Sequence, residues 1–520
     1  MTALLLRNAN VFTRGVTEAQ ALVIESGRIA WLGTNAQSAS FDHLPTFDCG
    51  GLWLAPAFGD GHVHVTNAGL ELNSASLKSA TSADQLGAVI AEIIASSTEP
   101  VVIAHGWDDT HWEYQPQSAD IEHATAVYAS RVDVHSALIN RALISKCPGI
   151  ENLEGWHESG RVTKAAHALA RQTAYSLVSD SAKEKARARF LSEAASNGIV
   201  AVDEMAGPIV SSEADAAAVR ALGESPSRPD VFVWWGDLLA IEAVQRLGAY
   251  GCGGDLFVDG SLGSKTALLR SPYETGEIGA RYIAEVDVAR HIAACVEAGL
   301  PTGFHAIGDA ALDSVVDGYA AAARTFGATK VASGRHRIEH AEMLDDKHRA
   351  ICAELGITLS MQPQFDSLWA SAGEMYSQRI GNRYDGLNDF AAAATAGVAM
   401  VLGSDAPVTA CDPWAWIAAA SQAHNPDHRI SARAAFSAST RGFWRNHGVE
   451  DCGTIEVGAV ASLALWEVDA FDEMRTDPTI KRWSTDPRSG NRPLPDLSND
   501  SPRCRMTWKR GTTIFDGMNS

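Results

Sequence analysis

Through its middle the chain alternates repeatedly between alanine-rich helical stretches and short apolar runs. The helical stretches include "SADQLGAVIAEIIASS", "SAKEKARARFLSEAASNG" and "DVARHIAACVEAGL". The apolar runs include "VVIAHGWDD", "GIVAVDEMAG", "DLFVDGS", "PTGFHAIGD", "HRIEHAEM", "ITLSMQPQF" and "VAMVLGSDAPV". Strands joined each time by a helix are parallel, because parallel neighbours need a crossover. With the opening "HVHV", the runs allow about eight repeats, enough to close a barrel. An open doubly wound sheet is the competing arrangement. It would gather its ligand groups near one switch point. Here polar residues recur at the ends of many different runs, as the mouth of a barrel requires. The expected fold class is therefore α/β, a (β/α)8 TIM barrel.

Both chain ends have another texture. "ALLLRNANVFT", "AQALVIESGRIAWLG" and "TFDCGGLWLAP" at the start are short apolar runs broken by Asn, Gly and Ser, and "GTIEVGAVASLALWEV" and "CRMTWKRGTTIFDG" at the end match them. These read as strands and turns. A chain of 520 residues suits a large barrel with a smaller partner. The expected division is a composite β-sandwich domain of residues 1–55 and 454–520 around a barrel of residues 56–453. The stretch "TDPRSGNRPLPDLSNDSPR" (485–503) reads as an irregular loop before the final strand.

A formal charge of -21 repels nucleic acid and anionic membrane surfaces, so neither is expected as a partner. No stretch approaches the ~20 apolar residues needed to span a bilayer. The opening apolar run is shorter than a secretory h-region and is interrupted by Arg7. Eight cysteines stand singly, with no CxxC pair, which suits reduced thiols and a cytoplasmic location.

Chemistry enters in "LWLAPAFGDGHVHVTNAG", residues 52–69, where His62 and His64 stand two apart just after Asp60. On a strand, residues two apart share a face, so both rings can converge on one point. Further along, other run ends supply Asp203, Glu204, Asp255, Asp259, His305, His340 and Asp405. Neutral imidazole and carboxylate are the usual ligands of zinc and similar divalent ions. A lone histidine at a strand end is more often a core or surface group. Asp405 is the more telling residue, since the Gly, Ser and Pro of "VLGSDAPV" mark a tight turn that holds its carboxylate at a strand tip. Together these groups have the composition of a site for one or two ions.

On "APAFGDGHVH", "HGWDD", "VHSALIN", "NGIVAVDEM", "LFVDGSLGSKTALL", "FHAIGDAAL", "RIEHAEM", "SMQPQF", "GSDAPV" and "GTIEVGAVASLAL", the chain resembles the amidohydrolase superfamily. The similar branch is that of the N-substituted formamide deformylase-like enzymes, amidohydrolase family 3. The resemblance implies a distorted (β/α)8 barrel with a metal site at its mouth. It implies that His62 and His64 bind the more buried ion, that His305 and His340 bind a second, and that Asp405 is the metal-linked general acid/base. The family usually carries a carboxylated lysine at the start of the fourth strand, bridging two ions. Here that position is Asp255. Its shorter carboxylate is expected to ligate one ion, to bridge two after backbone adjustment, or to do neither. Lys265 lies beyond the strand, where the family commonly has arginine, and Glu204 is a further candidate carboxylate. A one-ion site of His62, His64, His305 and Asp405 is the alternative. The expected cofactor is Zn2+, one or two ions.

The implied reaction is hydrolysis of a non-peptide C–N bond in a small amide, with an N-substituted formamide in view. Asp405 would serve as base and then acid towards an activated water. His340, where it is not a ligand, would hydrogen-bond the oxyanion. Expected substrate contacts are Trp107, Asp108, His135, Asn140 and Gln362, while Asp259 is expected to brace the turn that follows it. A deaminase or cyclic-amide hydrolase on the same site, a metal-dependent isomerase or lyase, and a non-catalytic metal-binding protein are the competing functions. By analogy alone, a homodimer is expected.

Overall fold

In the computed structural model, which describes residues 3–13, 18–72, 76–472, 493–498 and 501–518, the alternation resolves into two four-stranded parallel sheets. The first contains β1 (Phe58–Val63), β2 (Ile199–Ala206), β3 (Asp230–Trp235) and β4 (Gly251–Cys252). The second contains β5 (Gly303–Ala306), β6 (Arg337–His340), β7 (Thr358–Met361) and β8 (Met400–Leu402). Parallel bridges Cys252–Thr302 and Phe257–His305 join the first sheet to the second, and Val63–Ala406 joins the end of β8 to β1. Residues of β2 are buried along its whole length, as a parallel strand covered by helices must be. Phe58, Val200, Phe304, Ile338 and Leu359 from these strands share one core with the helical residues Leu191, Leu312 and Val315.

Two runs take places other than those expected. "VVIAHGWDD" does form a strand, Val101–Trp107, but in a separate sheet with Ala126–Arg131, Ser136–Ile139 and Arg161–Thr163. β2 pairs directly with β1 in its stead, and "VFVWW" of β3 takes the next place in the parallel series. A short buried apolar run reads the same whichever sheet it joins, so its period cannot assign its partners. "DLFVDGS" contributes only the bridge at Phe257, because the fourth strand ends at Cys252 and the glycines Gly253 and Gly254 lead the chain out of it.

The chain ends build two further sheets. One holds Leu4–Arg7, Ala21–Glu25, Arg28–Gly33 and Thr46–Asp48; the other interleaves Asn10–Val11 and Trp53–Pro56 with Leu463–Glu467, Arg503–Lys509 and Thr512–Asp516. Leu6, Ile24 and Ile29 of the first pack with Leu54, Leu465 and Trp508 of the second in one apolar cluster. Of the expected loop at 485–503, residues 485–492 and 499–500 lie outside the described residues. Among the described residues, no helix is long and apolar enough to cross a membrane.

Candidate metal centre and active site

The ends of β1, β5, β6 and β8 and the turn after β4 bring six side chains to one buried point. The Asp255 carboxylate sits among four imidazoles. Its Oδ2 is 3.3 Å from His64 Nε2, and its Oδ1 is 3.5 Å from His62 Nε2, 3.5 Å from His305 Nδ1 and 3.7 Å from His340 Nε2. Asp405 Oδ1 stands 3.2 Å from His64 Nε2 and 3.5 Å from His62 Nε2. His62, Asp255 and His340 form one compact triad of donors, and His62, His64 and Asp405 form another.

Each ring is oriented from behind. His62 Nδ1–H donates to Glu339 Oε2 at 2.9 Å, His64 Nδ1–H to the Met205 carbonyl at 3.0 Å, and His305 Nε2–H to the Gly260 carbonyl at 3.3 Å. His340 Nδ1–H donates to Gln362 Oε1 at 2.8 Å. These bonds fix the tautomers, so the opposite nitrogen of every ring turns a bare lone pair inwards. Accordingly His62 Nε2, His305 Nδ1, Asp255 Oδ1 and Asp405 Oδ1 are buried with no hydrogen-bond partner among the described residues. Two ligands of a tetrahedral ion, each about 2.1 Å from it, stand roughly 3.4 Å apart. The spacings observed here match that figure. The donor set fits a divalent cation.

The electrostatics agree. Burial opposes charge on His62 and His64, yet Asp255 and Asp405 outweigh it and raise both imidazoles, His64 to about 9. Burial likewise opposes ionisation of Asp255, but the surrounding imidazoles hold it well below the usual carboxylate range. Two buried carboxylates thus create a place where positive charge is strongly favoured, which a bound cation satisfies.

Asp255 reaches this position through backbone conformation. Gly254 has φ +79, and a Cβ there would meet Met205 Sδ at 2.5 Å; Gly253 has φ +143, and a Cβ there would meet the Gly303 carbonyl oxygen at 2.2 Å. Only glycines let the chain turn so close to β5. The shorter side chain is thereby carried in among the rings. Lys265 is elsewhere, with Nζ bonded to Thr275 Oγ1 at 3.0 Å. Glu204 accepts the Val65 N–H at 2.6 Å, at the start of the helix that follows His64.

The other expected contacts divide. His135 lines the cavity over the metal donors, its ring centroid 5.0 Å from that of His305; burial foremost, then the His305 charge, lowers it to about 3, so it is a neutral imidazole. Gln362 acts through His340, which it orients. In that tautomer His340 presents a lone pair, which suits a ligand and not the donor to an oxyanion. The structure does not bring Trp107, Asp108 or Asn140 to the cavity lining. Trp107 is fully buried and its indole N–H donates to Ala129 O at 2.9 Å. Asp108 accepts from Arg131 at 2.6 Å. Asn140 caps the short helix Arg141–Ile144 and bonds the backbone of Val127 and Thr125. Polar residues beside a strand serve the backbone as often as a ligand, and their types alone do not separate the two. Asp259 is a brace, accepting the N–H groups of Leu268, Ile307 and Gly308.

Glu339 and Arg337 support the centre although neither is among the residues the sequence points to. Arg337 is wholly buried between Asp203 and Glu339, each 2.6 Å away, with its guanidinium 4.9 Å from the Trp234 ring centre. The signal available is two opposite charges two apart, hence on one face, in the short buried strand Arg337–His340. The cavity above the donors has a volume of about 450 Å³ and is lined by every ligand candidate except His62, together with His135, Phe257 and Arg171.

Imidazoles and carboxylates converging beyond the ends of parallel strands, beneath a cavity of substrate size, define a metal-dependent hydrolase site. The chain belongs to the amidohydrolase family, whose profile matches residues 45–515, and it is a hydrolase of carbon–nitrogen bonds other than peptide bonds. It is similar to Protein LONG AFTER FAR-RED 3 of Arabidopsis thaliana, 25% identical over 91% of this chain and 88% of that protein. It is also similar to the N-substituted formamide deformylase of Arthrobacter pascens, 28% identical over 38% of this chain and 36% of that protein. An uncharacterized metal-dependent hydrolase from Pyrococcus furiosus shares the fold, with TM-score 0.70 and 24% identity over 89% of this chain and 98% of that one.

Proposed function

We propose that this protein hydrolyses a small non-peptide amide, with N-substituted formamides as the first substrates to try, at a zinc centre held by His62, His64, Asp255, His305, His340 and Asp405. The observation that carries this reading is the set of inward lone pairs whose spacings match ligands around an ion. The two triads share His62 Nε2, while Asp255 offers Oδ1 to one side and Oδ2 to His64, so its carboxylate is the group that could serve a second ion. When bound, such a cation lowers the pKa of water towards ~7 and polarises a carbonyl.

The protein's own groups supply the rest. Asp405 takes the proton of the attacking water and returns it to the leaving nitrogen, serving as base and then acid. Its position supports this, because its Oδ1 has no hydrogen-bond partner and its residue lines the cavity. His135, neutral and beside His305, contacts the substrate. Phe257, Val134 and Ile209 give the cavity an apolar wall for the amine substituent. The Arthrobacter relative's name supports formamides. In the same reading the two parallel sheets close as one (β/α)8 barrel of residues 56–453, a view the three bridges support, and residues 1–55 with 454–520 form the β-sandwich domain.

Metal analysis of the purified protein, joined to an amine-release screen over N-aryl and N-alkyl formamides and acetamides, tests the proposal. Stoichiometric zinc and amine release from at least one formamide are expected. Protein with no divalent metal, or loaded protein that releases no amine, would overturn it.

A further inference from the structure

The helix Lys164–Leu177 presents Lys164, His167, Ala168 and Arg171 to the cavity, at the three- and four-residue spacing that places side chains on one face. Three cations line this cavity. Lys164 is spoken for, 2.7 Å from Glu154. So is Arg281, which lies 3.0 Å from Glu285 and donates to Ser314 at 2.7 Å. Arg171 differs. It is only 7% exposed, yet among the described residues it has neither an ion-pair partner nor a hydrogen-bond acceptor, and its Nε is buried without one. The guanidinium lies over the Tyr175 ring, 5.8 Å from its centre, which steadies its orientation without neutralising it.

A buried guanidinium without a counter-ion is expensive, and folded proteins pair such groups. Arg171 also lines the smaller cavity that adjoins His64, His105 and Glu71, so its unsatisfied donors face space shared with the metal centre. Resting on the hydrolytic reading above, we propose that the substrate is an amide bearing a carboxylate, which Arg171 receives while the amide carbonyl lies over the metal donors. A monoanion suits the site better than a phosphate. One unpaired cation balances one charge, and the other two cations of the cavity, Lys164 and Arg281, are already paired with Glu154 and Glu285. The planar fork of arginine matches a carboxylate with two parallel hydrogen bonds. N-formyl and N-acyl amino acids are thus the substrate class, and the bond broken is still the amide C–N, with water supplying hydroxyl to the acyl carbon and hydrogen to the amine.

The test compares N-formylphenylalanine with N-(2-phenylethyl)formamide, a pair that differs only in the carboxylate, on the metal-loaded enzyme. Wild type is expected to favour the acid by about 100-fold in kcat/KM, as for sites whose buried polar group is left unpaired by the poorer substrate. In Arg171→Met that ratio should fall towards one, with Arg171→Lys between. Binding of the unreactive 3-phenylpropionate, measured by calorimetry in wild type and variant of equal metal content, separates the two claims. Binding lost in Arg171→Met upholds the inference even where neither formamide is cleaved; the hydrolytic reading falls only if the wider amine-release screen is also blank. Equal cleavage of acid and neutral amide by wild type overturns the inference while hydrolysis stands. So does carboxylate binding that is absent from wild type or identical in the variant. The wild-type comparison needs no variant, so a failure of Arg171→Met to fold leaves the test intact.

Discussion

Glu339 Oε2 lies 2.9 Å from His62 Nδ1 and 2.8 Å from Arg337 Nη2, so one buried carboxylate oxygen serves both a metal-facing imidazole and the buried arginine beneath it. Glu339→Gln keeps the shape but replaces a charged acceptor with a neutral one. The orientation of His62 would weaken, and Arg337 would retain only Asp203 as its ionic partner. Zinc affinity is expected to fall about 10- to 100-fold, and stability by about 3 kcal/mol, the lower end for a broken buried pair. Chelator competition and urea denaturation measure the two. Affinity equal to wild type would remove Glu339 from the centre's support.

Asp405 and Asp255 are both carboxylates in one cluster, yet they should fail differently. Both line the cavity, but Asp255 meets four imidazoles, whereas Asp405 meets two. Asp405→Asn should abolish turnover while largely preserving metal content. Asp255→Ala should lose metal first and activity as a consequence. Metal stoichiometry by plasma emission, set beside amine release, separates them; an Asp405→Asn enzyme with unchanged turnover would contradict the assigned role.

The approach of Asp255 depends on the glycines before it. Gly253→Ala would set a Cβ 2.2 Å from the Gly303 carbonyl oxygen, so β4 must move away from β5. A cost of about 2–3 kcal/mol in stability is expected, with reduced metal content. Gly299→Ala is the control, since that residue also has positive φ, +68, but open space around it. It should cost about 1 kcal/mol and leave metal binding untouched. Equal effects of the two substitutions would show that close approach at Gly253 does not position Asp255.

How much of this was legible in the sequence depends on what kind of fact each residue carries. His62, His64, His305, His340 and Asp405 could be read as one cluster because parallel strands deliver their ends to one edge whatever their neighbours are. Asp255 was legible as a departure, but the question of its reach was settled by the φ values of Gly253 and Gly254, which depend on the packing of β5. Trp107 and Asn140 show the opposite limit. Their residue types suit a pocket, and only the backbone partners Ala129, Val127 and Thr125 reveal that their polar atoms are already taken. Arg171 is silent in the sequence for a related reason. An arginine in a helix is ordinary until its neighbours are known to hold no acceptor for it.

Asp133 gives the fold a dependence on pH that is independent of the metal. It accepts the hydroxyls of Ser261 at 2.5 Å and Ser264 at 2.6 Å, and Arg131 Nη1 lies 3.4 Å away, so it ties the sheet beginning at Val101 to the loop beyond Asp255. Burial opposes its ionisation, but Arg131, His135 and the two hydroxyls outweigh burial and lower it to about 2. The folded value is thus below the unfolded ~3.9, and the unfolded chain binds more protons through this group between those values. Stability from Asp133 is therefore fully present above ~5 and is lost as pH falls towards ~2. A shift of nearly two units corresponds to about 2–3 kcal/mol. In urea titrations with chelator present, so that metal release cannot contribute, wild type should exceed Asp133→Asn by that amount at neutral pH. The gap should close progressively below pH ~4. A gap of constant size down to the acid limit would mean that the carboxylate's charge contributes nothing there and that Asp133 acts by shape alone.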